Sequence, residues 1–124
     1  MGARGTERAR SPNVPLLRSL GVLHRIKRYP RAAVIFAQGG AATEVMYLQQ
    51  GSVKLSVLSR TGKEAIISVL QAGEFFGEGC LAGQSSRMAT AVAVNKSMVA
   101  IIDKHHMIDM MHRVPELNDQ FLAR

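Results

Sequence analysis

Residues 73–92 read GEFFGEGCLAGQSSRMATAV, and this stretch decides how the rest of the chain is interpreted. Four glycines fall within eleven residues, which lets the backbone adopt positive φ or lie close against a ligand. The short Cys80–Gly83 stretch can make one helical turn, and successive N–H groups at such a turn form a concave anion site. The stretch therefore indicates a binding loop rather than a plain connection between strands.

Two charged side chains in this loop have complementary chemistry. Arg87 carries a planar fork of donors that can hold two phosphate oxygens at once. The carboxylate of Glu78 accepts hydrogen bonds, so it suits a sugar hydroxyl and would repel a phosphate placed beside it. Together they can hold opposite ends of a ribose phosphate. The alternative is a surface ion pair between the two, worth about 0–1 kcal/mol.

Glycine-containing turns also recur about every eleven residues from residue 39 to the start of this loop, and each lies between runs rich in Val, Ile, Leu and Phe. This spacing favours an all-β sandwich or roll. The turns are Gly39-Gly40, Gly51, Thr61-Gly62 and Gly73.

Seven or eight strands are predicted between and after these turns. In residues 52–57 polar and apolar residues alternate, so Val53, Leu55 and Val57 should share one buried face. Residues 88–94 and 97–103 are predicted to pair across a tight turn at Asn95-Lys96. The other predicted strands cover residues 32–37, 44–49 and 63–70.

The periodicity changes after residue 103, where a Met-rich stretch predicts a helix. Pro115 suits the first turn of a second helix over residues 116–124, and residues 15–20 can form a short helix near the start. Met107, Met110 and Met111 fit either core packing or contact with another subunit. The predicted fold is mainly β, a double-stranded β-helix (a jelly-roll-like β-roll) with short flanking α-helices.

The loop resembles the phosphate-binding cassette of cyclic-nucleotide-binding domains. Such domains occur in the Crp/Fnr (catabolite activator) family of transcription regulators and in the regulatory subunits of cAMP-dependent kinase. The resemblance lies in Phe76-Gly77-Glu78, a short helix, and then Arg87-Met88-Ala89-Thr90 at matching spacing. It extends over about residues 25–115, through the segments 38–39, 45–48, 51–55 and 62–64.

The resemblance implies a role for each residue of the site. Glu78 would receive the ribose 2′-hydroxyl, and Arg87 would neutralise the cyclic phosphate of a cAMP-like effector, with no other cofactor. Backbone contacts would come from Gly77, Gly79, Cys80 and Ala89, and a pocket wall from Leu55, Ile67 and Ser68. Met88, directly after Arg87, is the tenth residue assigned to the site.

The sequence departs from the family pattern at two positions of the cassette. Gly79 stands where these families usually have Leu, and this loosens the turn. Met88 stands where Ser, Thr or Ala commonly follows the arginine, so it removes a hydroxyl contact to the phosphate and adds bulk.

The resemblance also implies an organisation in three parts. Residues 1–24 would be a basic arm with a short helix, residues 25–103 the cyclic-nucleotide-binding β-roll, and residues 104–124 helices that begin a dimerisation helix. A homodimer through these helices is expected, with DNA contacted only through a domain absent from these 124 residues.

The net charge of +7 is concentrated near the N-terminus. Residues 1–31 contain eight Lys and Arg against Glu7 alone, whereas residues 32–124 contain eight basic and eight acidic residues. The basic segment is expected to be a solvated, partly disordered arm, with weak nucleic-acid contact as the alternative.

Several other classes of protein fit the sequence poorly. Cys80 is the only cysteine, so an internal disulfide is impossible, and a small buried thiol is favoured over a reactive one. A cupin-like metalloenzyme would need histidines on strands, and none of the four is predicted there. The sequence shows no signal core or membrane span. We therefore expect a cytoplasmic sensor that is not an enzyme and contacts no membrane, with a ligand-free dimerisation module as the alternative.

Overall fold

The computed structural model describes residues 24–113, which form two four-stranded antiparallel sheets followed by an α-helix. The first sheet has the order β1-β8-β3-β6 and the second the order β2-β7-β4-β5. A 3-10 helix, Glu78–Ala82, lies between β6 and β7. The elements are β1 (Arg25–Tyr29), β2 (Val34–Phe36), β3 (Glu44–Gln50), β4 (Ser52–Leu58), β5 (Glu64–Gln71), β6 (Phe75–Phe76), β7 (Thr90–Ala93), β8 (Ser97–Asp103) and α1 (Lys104–Arg113).

This architecture confirms the predicted mainly β roll. The predicted turns are also present, because Gly39, Gly51, Gly62 and Gly73 all have positive φ. The predicted helices over residues 15–20 and 116–124 lie outside the described residues. Within residues 24–113, no helix is long and apolar enough to cross a membrane.

Strand β1 was not predicted as a strand, although the predicted β-roll begins at its first residue, Arg25. Arg25, Lys27 and Arg28 lie in this strand, which pairs with β8 from Arg25↔Ile101 to Tyr29↔Ser97. Their side chains are exposed because β1 is an edge strand of its sheet. Charged residues on an edge strand oppose pairing with other chains. The charged residues of this segment therefore concealed a strand in the sequence.

The predicted hairpin across Asn95-Lys96 is wrong. Strand β7 pairs with β2 and β4, whereas β8 pairs with β1 and β3, so the bend carries the chain from one sheet to the other. The side chain of Asn95 accepts a hydrogen bond from Ser52 N at 2.9 Å. A local turn signal does not distinguish a hairpin from a crossing between sheets, because the strands on either side decide the pairing.

The expected burial of Val53, Leu55 and Val57 on one face is correct only for Val53. The ladder between β4 and β5 shifts register between Leu55 and Ser56. The bulge lies in β5, where Ile67 is the extra residue between the partners of Leu55 and Ser56. Leu55 and Val57 are half-buried, whereas the polar Ser56 is only 4% exposed.

The first sheet is covered on both faces, which explains the continuous apolar runs in β3 and β8. In β3 four consecutive residues are buried, and alternate ones point toward the second sheet and toward α1. Met107 and Met110 are fully buried in the cluster between this sheet and α1. Core packing therefore accounts for these two methionines, while Met111 packs partly buried against the same cluster.

Candidate functional site

Residues of the glycine-rich loop line one open pocket, with an empty volume of about 440 Å³, against the second sheet. Its wall includes eight of the ten residues proposed from the sequence. The lining residues are Phe36, Ala42, Leu55, Gly77, Glu78, Gly79, Cys80, Gln84, Ser86, Arg87, Met88 and Ala89. Glu78 and Arg87 are thus brought to the same pocket.

Arg87 is the buried cation of this pocket, only 6% exposed. Its Nη1 donates to Gly77 O at 3.0 Å and its Nη2 to Glu44 O at 2.8 Å. The guanidinium lies 4.3 Å from the centroid of the Phe36 ring, within range of a cation–π interaction. Burial lowers the pKa of Arg87, because desolvation disfavours its charged form. Because Arg87 is buried, the alternative of a surface ion pair between Glu78 and Arg87 is wrong.

The described contacts do not use all the donors of this guanidinium. Among the described residues, the buried Nε of Arg87 has no hydrogen-bond partner. A buried unpaired donor costs roughly 1–3 kcal/mol, and more when it is charged. An anion that entered the pocket and accepted this hydrogen would remove that cost.

The backbone around Arg87 is tied to the segment that precedes β3. Arg87 N donates to Gly40 O, and Gly39 N donates to Arg87 O, each at 2.8 Å. Ala42 N also donates to Ser85 O at 3.0 Å. These bonds hold the arginine in position without the help of its side chain.

Two separate features require a glycine at position 77, at the start of the 3-10 helix. Its φ is +74°, which side-chain-bearing residues rarely adopt. A Cβ there would also lie 2.9 Å from Arg87 Nη1 and 3.3 Å from Met46 Sδ. The glycine therefore makes room for the guanidinium, and the turn that follows places Glu78 in the pocket wall.

Cys80 is a buried thiol, as predicted, and is only 3% exposed. Its Sγ lies 3.5 Å from Gly77 O and 3.7 Å from Glu44 O, within hydrogen-bond range of both. Burial raises the pKa of this thiol, so the neutral form is favoured. Residues 24–113 contain no group of three or more His, Cys, Asp or Glu side chains that could hold a metal ion.

Ile67 and Ser68 do not line the pocket. Both lie on β5, and Ile67 is 58% exposed. Ser68 is the partner of Leu55 across the ladder, directly before the bulge. Leu55 therefore supplies the wall from this pair of strands.

Phe36 and Gln84 are pocket residues that sequence reasoning missed. Phe36 lies at the end of β2, and only the packing of the two sheets brings its ring against Arg87. Gln84 is a polar residue directly after a glycine of the loop, so its position in the sequence could have indicated a place in the pocket. Met88 lines the pocket and is 64% exposed.

Comparison with known proteins finds relatives among bacterial regulators. The Cyclic AMP receptor protein of Thermus thermophilus is 30% identical over 87 residues, which are 70% of this chain and 40% of that protein. The cAMP-activated global transcriptional regulator CRP of Haemophilus influenzae is 36% identical over 67 residues, 54% of this chain and 30% of that protein. The chain thus spans less than half the length of these curated relatives.

The crystal structure of the Thermus thermophilus Catabolite Activator Protein superposes with a TM-score of 0.78 at 27% identity. The match covers 90% of this chain and 51% of that one. The family profile described as "Cyclic nucleotide-binding domain" matches residues 26–114, which include the whole pocket and all of the described strands except Arg25, the first residue of β1. The chain belongs to the cyclic nucleotide-binding domain family and is related to the CRP-type transcription regulators.

Proposed function

We propose that this domain is the sensory part of a transcription regulator and binds a cyclic nucleotide, cAMP in the first instance. Glu78 accepts a hydrogen bond from the ribose 2′-hydroxyl, and Arg87 binds the cyclic phosphate. The effector is a signal and not a substrate, so the domain is not an enzyme. DNA is contacted through a part of the regulator outside these 124 residues.

The observation that carries this proposal is the unpaired Nε of Arg87, a residue of the pocket wall. The described hydrogen-bond partners of this guanidinium are the carbonyls of Gly77 and Glu44 and the sulfur of Met46, none of which is charged, and a phosphate would neutralise it. The planar fork presents Nε and one Nη side by side, which matches two oxygens of a phosphate. Relatives whose names state cAMP activation make cAMP the first ligand to test.

A route from the pocket to α1 passes through the start of β3. Arg87 Nη2 holds Glu44 O, and the neighbouring carbonyl of Thr43 accepts a hydrogen bond from Lys104 N, the first residue of α1, at 3.1 Å. A phosphate that draws the guanidinium away from Glu44 would loosen this segment. If the two arrangements differ in affinity for the ligand, binding biases the position of α1 and of the helices that follow. We propose that these helices form the homodimer contact.

Isothermal titration with cAMP, cGMP and linear AMP tests the ligand assignment. We expect saturable binding of cAMP and weaker binding of AMP, because the open phosphate carries an additional charge and loses the ring geometry. Absence of heat and of any ligand-induced rise in melting temperature with both cyclic nucleotides would refute the proposed function.

A second candidate is favoured by the two bonds that Arg87 already makes. Nη1 and Nη2 are both held by backbone carbonyls, so the arginine has a structural role without any ligand. In this case the domain is a ligand-free β-roll that acts as a dimerisation module. The same titration separates the two functions, and sedimentation of the free protein tests whether it dimerises.

A further inference from the structure

The space beside Gly79 is occupied by a neighbouring side chain, and the backbone at this position does not itself require glycine. Its φ lies outside the positive region that Gly77 and Gly83 occupy. A Cβ at position 79 would overlap Oε1 of Gln84 and lie 2.9 Å from its Cδ. The carboxamide of Gln84 therefore fills the space that a side chain at position 79 would take.

The turn after the 3-10 helix brings Gln84 back onto Gly79. Gly83 ends this helix at a φ of +92°, and its N–H donates to Cys80 O at 3.4 Å. Gln84 N donates to Gly79 O at 3.2 Å. The left-handed residue reverses the chain, as at many helix ends, so the side chain of Gln84 returns over the start of the same turn.

This carboxamide lines the pocket beside the two charged anchors. It offers one acceptor oxygen and two N–H donors. Within residues 24–113, the hydrogen bond that Gln84 donates comes from its backbone N–H. The carboxamide can therefore still form hydrogen bonds with a ligand. A neutral amide can face a sugar hydroxyl or a phosphate oxygen without the repulsion that a carboxylate meets beside phosphate.

We propose that Gln84 is a third polar contact to the ligand, which hydrogen-bonds the ribose phosphate between Glu78 and Arg87. The absence of a side chain at Gly79 is what allows this contact. Gln84 lies against the residue that follows Glu78, so it faces the sugar phosphate and not the base. This inference rests on the proposed function, and it predicts that Gln84 contributes equally to the binding of cAMP and cGMP.

Two substitutions and their combination test the contact by titration with cAMP and cGMP. Gln84→Ala should weaken binding of both nucleotides by about twofold to tenfold, the loss expected for one net hydrogen bond. Gly79→Ala should cause the same loss, because its Cβ displaces the carboxamide. The double variant should bind no more weakly than either single variant, since both changes remove one contact.

Ser85→Ala is a matched control, because Ser85 is exposed and adjacent to Gln84 but does not line the pocket. It should bind both nucleotides as the wild type does. The inference fails if Gln84→Ala binds like the wild type, if the two single losses add in the double variant, or if only one nucleotide is affected. A wild type that binds neither nucleotide would instead overturn the proposed function, and the contact with it.

Discussion

Replacing Arg87 with Leu is the most direct test of the phosphate site. In the free protein the guanidinium makes two hydrogen bonds to carbonyls and leaves Nε unpaired. A bound phosphate gains the bond to Nε outright, and the second N–H of Nη1 could supply another. The bond to Nε alone is one charge-assisted hydrogen bond, roughly 1.5–3 kcal/mol. Arg87→Leu should accordingly weaken cyclic-nucleotide binding by about tenfold to 150-fold.

Arg87→Lys is the matched variant that separates charge from geometry. A lysine keeps the positive charge but cannot present two coplanar donors, so we expect a loss smaller than that of Arg87→Leu. Both changes remove partners of Gly77 O and Glu44 O, so circular dichroism and thermal melts must first show that the variants are folded. Affinity of folded Arg87→Leu within twofold of the wild type would show that the phosphate is held elsewhere.

Three further predictions concern the opposite anchor, the core and the thiol. Glu78→Gln should weaken binding less than Arg87→Leu, because an amide oxygen still accepts from a hydroxyl; a larger loss in titration would reverse the assigned roles. Met110→Ala should lower the free energy of unfolding by about 2–5 kcal/mol, since this side chain is fully buried against the first sheet; a urea titration that shows under 1 kcal/mol would contradict core packing. Burial raises the pKa of Cys80 in the folded state. The neutral thiol therefore contributes its full stabilisation below the unfolded pKa of about 8.5, and this stabilisation is lost as pH rises through the folded pKa. The wild type should therefore lose more stability than Cys80→Ala between pH 8 and 10, and parallel unfolding curves would contradict this.

Local patterns in the sequence determined the strand-rich fold and most of the pocket. Turn glycines depend on backbone conformation within a few residues, so Gly39, Gly51, Gly62 and Gly73 were predictable. The loop residues of the site are close together in the chain, which is why Glu78 and Arg87 were found by their chemistry, while the resemblance to the family added Gly77. The buried thiol of Cys80 followed from the same segment.

Only the tertiary structure decided which strands pair and what surrounds Arg87. Strands β7 and β8 lie in different sheets, and β1 is held by a ladder to β8, because pairing depends on partners distant in sequence. The bulge opposite Leu55 and Ser56 lies in β5, at Ile67, and the alternation along β4 did not predict it. The ring of Phe36, the carbonyl of Glu44 and the unpaired Nε meet at Arg87 only after the two sheets have packed. Short-range chemistry thus identified the anchors, whereas long-range packing set the energy with which Arg87 can bind an anion.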